Sequence, residues 1–255
     1  MYKSFAREDF QKVFGIPEGY EVSGILATGT YDVEKQLDRL GKSLAKTGMP
    51  FQIDKQIGFL RNIYEIRVNK KIYWFTIVYG GTMLSEYVHV GCLFGSQKNI
   101  SIGSCGGLYP EMESTDYLIP TWSYGDESST RFYDRENIEN KHFPDKNLGE
   151  KIKSKLNGEK VWEGPVMTCQ AMLGETKDDV EQWSKDGYYG VEMETSTVFA
   201  VSKHFKVPAT ALIYVTDNLI KGQVVGDESH NMQKEARQQK AQKMFDVAVE
   251  VLLEI

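Results

Sequence analysis

Apolar runs with β-branched residues alternate along the chain with segments whose apolar residues recur every three or four positions. The first pattern predicts strands and the second predicts helices. In the N-terminal half, the predicted strands are SGILAT (23–28), NIYEIRV (62–68), KIYWFTIVY (71–79), KNISIG (98–103) and DYLIPTW (116–122). The predicted helices of this half are VEKQLDRLGKSLA (33–45) and SEYVHVGCLFG (85–95). Such alternation indicates an α/β fold.

The C-terminal half continues the alternation after a charged, aromatic stretch, 123–146, which predicts a long surface loop. Strands EKVWEGPVM (159–167) and YYGVEME (188–194) are predicted to flank a helix around 178–186. A buried helix over 195–205, a central strand ATALIYVT (209–216) and a long helix from Glu228 to Leu253 follow. We therefore expect one domain over residues 1–255.

The composition favours a protein that binds a small molecule. The chain of 255 residues is 41% hydrophobic and has a formal net charge of −6, which disfavours nucleic acid and anionic membranes as partners. No apolar run approaches the roughly 18 residues that span a bilayer, and the N-terminus lacks a secretory signal, so we expect a cytoplasmic location. Cys92, Cys105 and Cys169 have no metal-ligand spacing, so neither disulfides nor a metal or other cofactor is expected.

The segment ISIGSCGGL (100–108) is the first candidate for a ligand-binding site. It runs from a strand into the glycine-rich sequence GSCGG (103–107), which predicts a turn whose backbone N–H groups can approach a ligand. Ligands in α/β sheets bind beyond the carboxyl ends of strands, where this segment falls. A glycine-rich turn is also typical of a tight bend without a ligand, so other segments must decide between the two interpretations.

The segment GVEMETSTVFAVSKHF (190–205) passes from a strand into a helix through two carboxylates, Glu192 and Glu194. One ionised carboxylate can accept hydrogen bonds from both vicinal hydroxyls of a ribose, while the thioether of Met193 packs on the apolar face of the sugar. The alternative is that the acidic residues only stabilise the positive end of the helix dipole.

The segment YVTDN (214–218) places Asp217 at the end of the central strand. Burial there is expected to raise its pKa, and a protonated carboxyl can donate to a ring nitrogen of a departing base as a general acid. The alternative is an Asp that caps the following turn.

Together, GSCGGL (103–108), GVEMET (190–195) and VTDN (215–218) resemble the nucleoside phosphorylase superfamily in order and spacing. This superfamily comprises purine and uridine phosphorylases and methylthioadenosine/adenosylhomocysteine nucleosidases. The resemblance covers the chain from Gly24 to the last helix. It implies a mixed central β-sheet flanked by helices on both sides. It also implies cleavage of the N-glycosidic bond of a purine nucleoside by a homo-oligomer, either dimer or hexamer.

The resemblance also implies roles for individual residues. Asp217 becomes the catalytic acid at N7 of the purine, and Glu194 becomes the acceptor of the ribose hydroxyls. Met193 contacts the face of the sugar, and Glu192 helps to shape the site. These assignments follow from the matching motifs, residue by residue.

The base is expected to lie over Cys105 and Gly106, while Ser104 contacts phosphate or the attacking water. Related enzymes often place an aromatic ring on the base, but the corresponding segment here, TCQAMLGET (168–176), offers Met172 flanked by Gln170. This departure leaves the identity of the base open.

Two further departures concern the nucleophile. The phosphate loop of family phosphorylases reads like GDPGR, and the aligned residues here are Thr28, Gly29, Thr30, Tyr31 and Asp32. Asp32 therefore replaces one phosphate-binding arginine, and Ser101 replaces a second, leaving Gly29, Thr30 and Ser104 to surround phosphate or water. Each missing arginine removes a contact worth about 1.5–3 kcal/mol. Phosphorolysis, with inorganic phosphate as co-substrate, and hydrolysis both stay open, and the losses predict cleavage without a strong phosphate requirement.

Several observations qualify this prediction. A replacement cation could come from Arg61, Arg67, Arg131 or a neighbouring subunit. His230 lies in the region where related purine phosphorylases carry an arginine that pairs with the acid.

The alternative to an enzyme is a non-catalytic nucleoside-binding or storage protein. The missing arginines allow that alternative, whereas the presence of both Glu194 and Asp217 disfavours it.

Overall fold

A ten-stranded mixed sheet organises the chain. The computed structural model describes residues 4–30, 32–55 and 62–254, so Tyr31 and Arg61 lie outside the described residues. The strands are β1 (Gly24–Thr28), β2 (Phe51–Lys55), β3 (Ile63–Val68), β4 (Lys71–Ile77), β5 (Asn99–Gly107), β6 (Tyr117–Tyr124), β7 (Lys141–His142), β8 (Val161–Thr168), β9 (Gly190–Glu192) and β10 (Ala209–Asn218).

The helices that connect the strands cover both faces of this sheet. They are α1 (Arg7–Phe14), α2 (Val33–Lys46), α3 (Gly81–Leu93), α4 (Ser128–Arg131), α5 (Lys146–Ser154), α6 (Lys177–Lys185), α7 (Thr195–Phe205), α8 (Glu228–Met232) and α9 (Lys234–Leu253). Apolar residues of α2, α5 and α9 form one buried cluster with the sheet, and those of α3 and α7 form another. The predicted α/β fold, a mixed sheet flanked by helices on both sides, is confirmed.

Strand β5 joins two parts of the sheet. On one side it pairs in parallel with β1, which continues through β4 to the antiparallel strands β3 and β2. On the other side β10, β6, β8 and β9 form a path that returns to β5 and closes a ring of strands. Because β1, β4, β5 and β10 are mutually parallel, their carboxyl ends lie at the same edge of the sheet.

The predicted turn over 103–107 is wrong. Strand β5 continues through Gly107, where its backbone pairs with β10 on one side and with β9 on the other. Pairing with β10 along the segment, and with β9 as well at Gly106 and Gly107, holds the glycines extended, which outweighs the turn tendency of a glycine-rich sequence. The segment predicted as a turn is therefore part of the sheet.

Other differences arise where local signals are weak. Helix α1 buries none of its residues, and β2 is a largely exposed edge strand, so neither has a strong apolar pattern. The predicted loop over 123–146 contains the short elements α4 and β7, and α5 follows from an Asp145 cap that accepts from the Leu148 backbone N–H at 2.8 Å. The predicted last helix is divided into α8 and α9 at Gln233.

Candidate active site

A cavity of about 550 Å³ lies at the common carboxyl edge of the parallel strands. Gly29 follows β1, Tyr79 follows β4, and Asp217 lies at the end of β10. This is the place where open α/β sheets bind ligands. The residues predicted from the sequence that line the cavity are Gly29, Ser104, Cys105, Gly106, Met172, Glu192, Met193, Glu194 and Asp217.

Two predicted residues do not line this cavity. The side-chain amide of Gln170 donates to the Ser129 hydroxyl at 2.9 Å, on the side of α4. The Thr30 hydroxyl accepts from the backbone N–H of Asp32 at 3.2 Å, at the start of α2. These hydrogen bonds therefore direct both side chains to partners outside the cavity.

Glu192 and Glu194 have different surroundings although one residue separates them. The Glu192 carboxylate accepts from the backbone N–H groups of Glu194 and Thr195, each at 2.8 Å, and from the Thr168 hydroxyl at 2.5 Å. It thus satisfies N–H groups at the start of α7. Burial raises the pKa of Glu192, and these hydrogen bonds oppose the rise.

The Glu194 carboxylate turns away from the helix and lies against two glycines. The backbone N–H of Gly80, which has φ 80°, donates to Glu194 Oε1 at 2.7 Å. A Cβ atom on Gly29 would lie 2.3 Å from the same oxygen, so only glycine leaves room for the carboxylate. Burial first, and then the charge of Glu192, raises the pKa of Glu194.

Asp217 is 4% exposed and forms part of the cavity wall. Burial raises its pKa, while a hydrogen bond from the Thr216 hydroxyl and electrostatic interactions with His230 and Arg237 oppose the rise. His230, which follows Asp217 by thirteen residues in the sequence, also lines the cavity. Burial therefore favours the protonated carboxyl that a general acid requires.

The turn after β10 is capped by Asn218 and not by Asp217. Asn218 Oδ1 accepts from the backbone N–H groups of Ile220 and Lys221 at 3.0 and 3.2 Å. Its Nδ2 donates to the carbonyl groups of Tyr109 and Met112 at 2.9 and 2.8 Å. The carboxyl of Asp217 is therefore not needed for the cap.

The remaining wall combines sulfur, aromatic and acidic groups. Tyr79 donates to the Met172 sulfur at 3.6 Å, so an aromatic ring that the motif comparison did not predict adjoins Met172. Cys105 is 3% exposed, and burial raises the pKa of its thiol well above the usual value, which keeps it neutral. Glu175 adds a carboxyl whose pKa is raised, first by burial and also by the charge of Asp217.

Sequence reasoning missed the cations of this cavity. Lys35 and Arg39 reach it from α2, and Lys234 and Arg237 reach it from α9. The two cations of each helix are three or four residues apart, which puts them on one face of that helix. This spacing was the signal in the sequence that could have identified them.

Of the cations proposed from the sequence, Arg67 and Arg131 do not line this cavity, and Arg61 lies outside the described residues. Arg67 pairs with Glu65 and Asp54, and Arg131 lies in α4, lining a different surface depression. Asp32 does not face the cavity either. It is exposed and caps α2 by accepting from the Lys35 backbone N–H at 3.1 Å. Among the described residues, no cluster of His, Cys, Asp and Glu side chains is suited to a metal ion.

Comparison with known proteins decides the family. The profile described as the phosphorylase superfamily matches residues 53–253, which is most of the chain. The chain belongs to the phosphorylase superfamily. Within this superfamily, it is 29% identical over 137 residues to a guanosine phosphorylase of Halorubrum lacusprofundi, covering 53% of this chain and 56% of the relative. It is 26% identical over 169 residues to a DeoD-type purine nucleoside phosphorylase of Clostridium beijerinckii, covering 64% of this chain and 66% of the relative.

Solved structures of the phosphorylase superfamily share the fold. A 5′-methylthioadenosine/S-adenosyl homocysteine nucleosidase of Campylobacter jejuni superposes with TM-score 0.70 at 16% identity, covering 90% of this chain and 98% of that chain. A uridine phosphorylase of Vibrio fischeri superposes with TM-score 0.72 at 17% identity, covering 91% of each chain. Among the described residues, no helix is long and apolar enough to cross a membrane.

Proposed function

We propose that this chain cleaves the N-glycosidic bond of a purine nucleoside, with Asp217 as the general acid and Glu194 as the acceptor of the ribose hydroxyls. The observation that carries this proposal is that both carboxyls line one cavity, and burial raises the pKa of each. Clusters of buried carboxyls with raised pKa values are typical of catalytic sites.

Asp217 acts on the leaving group. As the bond from C1′ of the ribose to N9 breaks, its electron pair passes into the purine, and N7 becomes more basic. Protonated Asp217 donates its proton to N7, so that the base leaves as a neutral molecule. Positioned general acids contribute about 10² to 10⁴ in rate.

Glu194 acts on the sugar. The Gly80 N–H and the bare Gly29 hold its carboxylate in place, and the thioether of Met193 lies beside it in the cavity wall. Hydroxyl donors stabilise an ionised carboxylate, so binding of the ribose 2′ and 3′ hydroxyls favours loss of the Glu194 proton. A fixed carboxylate therefore orients C1′ toward the nucleophile.

The choice of purine rests on Asp217 and on the relatives. A guanosine phosphorylase and several purine nucleoside phosphorylases are among the similar proteins. Tyr79 and Met172 offer an aromatic and a polarisable surface at the cavity wall, against which a planar base can pack.

The homo-oligomer and the cytoplasmic location remain part of this proposal. Leu173 and Ile138 are 95% and 91% exposed, which is consistent with apolar surface that a second copy covers. Light scattering on purified protein measures the number of subunits.

The experiment that tests the proposed function is turnover of a panel of purine and pyrimidine nucleosides by the wild type and by Asp217→Asn. An amide can still donate a hydrogen bond but cannot deliver a proton. We expect Asp217→Asn to keep its melting temperature and nucleoside affinity while kcat falls about 10² to 10⁴-fold. Asp38→Asn is the matched control, because Asp38 is exposed on α2 and pairs with Lys42 at 2.6 Å.

Wild-type turnover by Asp217→Asn would remove Asp217 from the mechanism. If the wild type binds nucleosides by calorimetry but cleaves none, the protein is instead a nucleoside-binding relative.

A further inference from the structure

Gln170 belongs to a polar network at the first turn of α7, although the sequence predicted that it binds the substrate. Its Nε2 donates to the Ser129 hydroxyl of α4 at 2.9 Å and to the Thr197 hydroxyl of α7 at 3.4 Å. The Thr197 hydroxyl donates to the Ser129 hydroxyl at 3.1 Å, which closes a triangle of hydrogen bonds. We call Gln170, Ser129 and Thr197 the amide–hydroxyl triad.

The amide–hydroxyl triad packs directly against the first residue of α3. A Cβ atom on Gly81 would lie 2.2 Å from Gln170 Nε2 and 2.2 Å from Thr197 Oγ1, so these two groups fill the space of a side chain. Thr197 is β-branched and fully buried in α7, so its hydroxyl has little freedom to retreat. The triad therefore determines how closely the start of α3 approaches the start of α7.

The same two helix starts fix the Glu194 carboxylate. Gly80, the N-cap residue of α3, precedes Gly81 and donates its N–H to Glu194 Oε1 at 2.7 Å. Glu194 is the N-cap residue of α7 and lies three positions before Thr197. The donor and the acceptor of this hydrogen bond therefore belong to the two helices that the triad joins. A displacement of about 1 Å between these helices would break the bond.

We propose that Gln170 is a positioning residue, which holds the Glu194 carboxylate in the geometry that binds the ribose hydroxyls. The proposal rests on the proposed function of Glu194. The Gln170 amide fixes the hydroxyls of Ser129 and Thr197, and these hold the start of α3 against α7. The Gly80 N–H then fixes the carboxylate. None of the three triad residues lines the cavity, so this role needs no contact between Gln170 and the substrate.

Gln170→Met tests this role, because methionine has a similar length but no amide donor. Calorimetric titration with inosine and 2′-deoxyinosine measures the preference for the riboside, in an Asp217→Asn background that slows cleavage. The affinity for inosine should fall about 3- to 10-fold, while that for 2′-deoxyinosine changes less than about twofold. The matched control is Gln182→Met, because Gln182 is exposed on α6 and its amide donates to Asp186 at 2.8 Å. This control should keep the full riboside preference.

Two substitutions of Thr197 test the triad from α7, and they keep the proposal testable if Gln170→Met does not fold. Thr197→Val preserves the shape of the side chain but lacks the hydroxyl, so it should reduce the riboside preference as Gln170→Met does. Thr197→Ser keeps the hydroxyl and should retain more of the preference than Thr197→Val. A triad that only stabilises the fold would lower the melting temperature without changing the preference, and that result would overturn the proposal.

The Glu194→Ala background shows whether Gln170 acts through Glu194. In that background Gln170→Met should weaken inosine binding no further, because the carboxylate that it positions is gone. A further loss there, or equal losses for inosine and 2′-deoxyinosine in the Glu194 protein, would overturn the proposal. So would a change in the preference between inosine and adenosine at an unchanged riboside preference, since it would show that Gln170 contacts the base.

The two proposals can fail separately. If the wild type prefers ribosides in binding but cleaves none, and Gln170→Met loses that preference, the role of Gln170 stands and the proposed reaction is refuted. If the wild type cleaves purine ribosides and Gln170→Met keeps the full preference, the reaction stands and the role of Gln170 is refuted. A wild type without any riboside preference would refute the ribose contact of Glu194 and the role of Gln170 together.

Discussion

Substituting Gly29 by alanine tests whether the position of the Glu194 carboxylate controls nucleoside binding. The new Cβ would lie 2.3 Å from Oε1, 2.5 Å from Cδ and 2.7 Å from Oε2 of Glu194, whereas ordinary contact begins at 3.4 Å. The carboxylate must therefore retreat by about 1 Å, a displacement that can reduce catalysis about 10²-fold. Its hydrogen bond from the Gly80 N–H, 2.7 Å long, would not survive such a shift.

The expected loss follows from that hydrogen bond and from the ribose contacts. A hydrogen bond to a charged group contributes about 1.5–3 kcal/mol, which corresponds to roughly 10- to 100-fold in kcat/KM. The melting temperature should shift by less than about 4 °C, because the atoms displaced lie at the end of a flexible side chain. Steady-state kinetics on a purine nucleoside, together with thermal unfolding, measures both effects.

Two comparisons make this prediction specific. Gly103→Ala is the matched control, since a Cβ at Gly103 meets nothing within 4 Å. In the Glu194→Ala background, Gly29→Ala should cause no additional loss, because the group that it displaces is gone. Wild-type kcat/KM for Gly29→Ala, or an undiminished loss in the Glu194→Ala background, would refute the reasoning.

Two further outcomes follow from Glu194. Glu194→Gln should weaken ribosides by about 1.5–3 kcal/mol more than 2′-deoxyribosides, because only the riboside offers a 2′-hydroxyl to the charged acceptor, and equal losses in kcat/KM would contradict that contact. The raised pKa of Glu194 also affects stability. Protonated Glu194 stabilises the fold fully below about pH 4.3, which is the pKa of a glutamate in the unfolded chain. This contribution is lost as the pH rises through the higher pKa that Glu194 has in the folded protein. Glu194→Gln, which does not ionise, should therefore raise the melting temperature relative to the wild type more at about pH 9 than at about pH 4, and a pH-independent difference would count against a buried, ionising Glu194.

The fold was largely predictable because the central parallel strands are buried on both sides. Strands β1 and β10 read as apolar runs in the sequence and are almost entirely buried in the structure. By contrast, β2 at the sheet edge and α1 on the surface have few apolar positions, so their patterns give little signal. The glycine-rich end of β5 misled the prediction because pairing with β9 and β10 is non-local and cannot be seen in the segment itself.

The residues of the candidate site were predictable where they belong to a family motif, but not where they come from separate helices. Glu194 and Asp217 belong to short segments whose order is typical of the family, and the structure brings both to one cavity. Arg39 and Arg237 come from α2 and α9, far apart in the chain, and only the packing of these helices over the sheet brings both to the wall of one cavity. Counting cations within motifs therefore underestimated the positive charge of this cavity.

The sequence offered two alternatives to a catalytic interpretation: acidic residues that stabilise the start of a helix, and an Asp that caps a turn. Both describe real structural requirements, and neighbouring residues meet them. The N–H groups at the start of α7 need an acceptor, which Glu192 supplies, and the turn after β10 needs a cap, which Asn218 supplies. If Glu194 and Asp217 had met these needs, their oxygens would be occupied by backbone donors, and those hydrogen bonds would oppose the rise in pKa that burial causes, as they do at Glu192. Because Glu192 and Asn218 accept the hydrogen bonds that the helix start and the turn require, Glu194 and Asp217 can lie in the cavity wall with raised pKa values. In each motif one polar side chain meets the structural requirement, and the carboxyl of Glu194 or Asp217 lies in the cavity wall, where the fold alone does not require it.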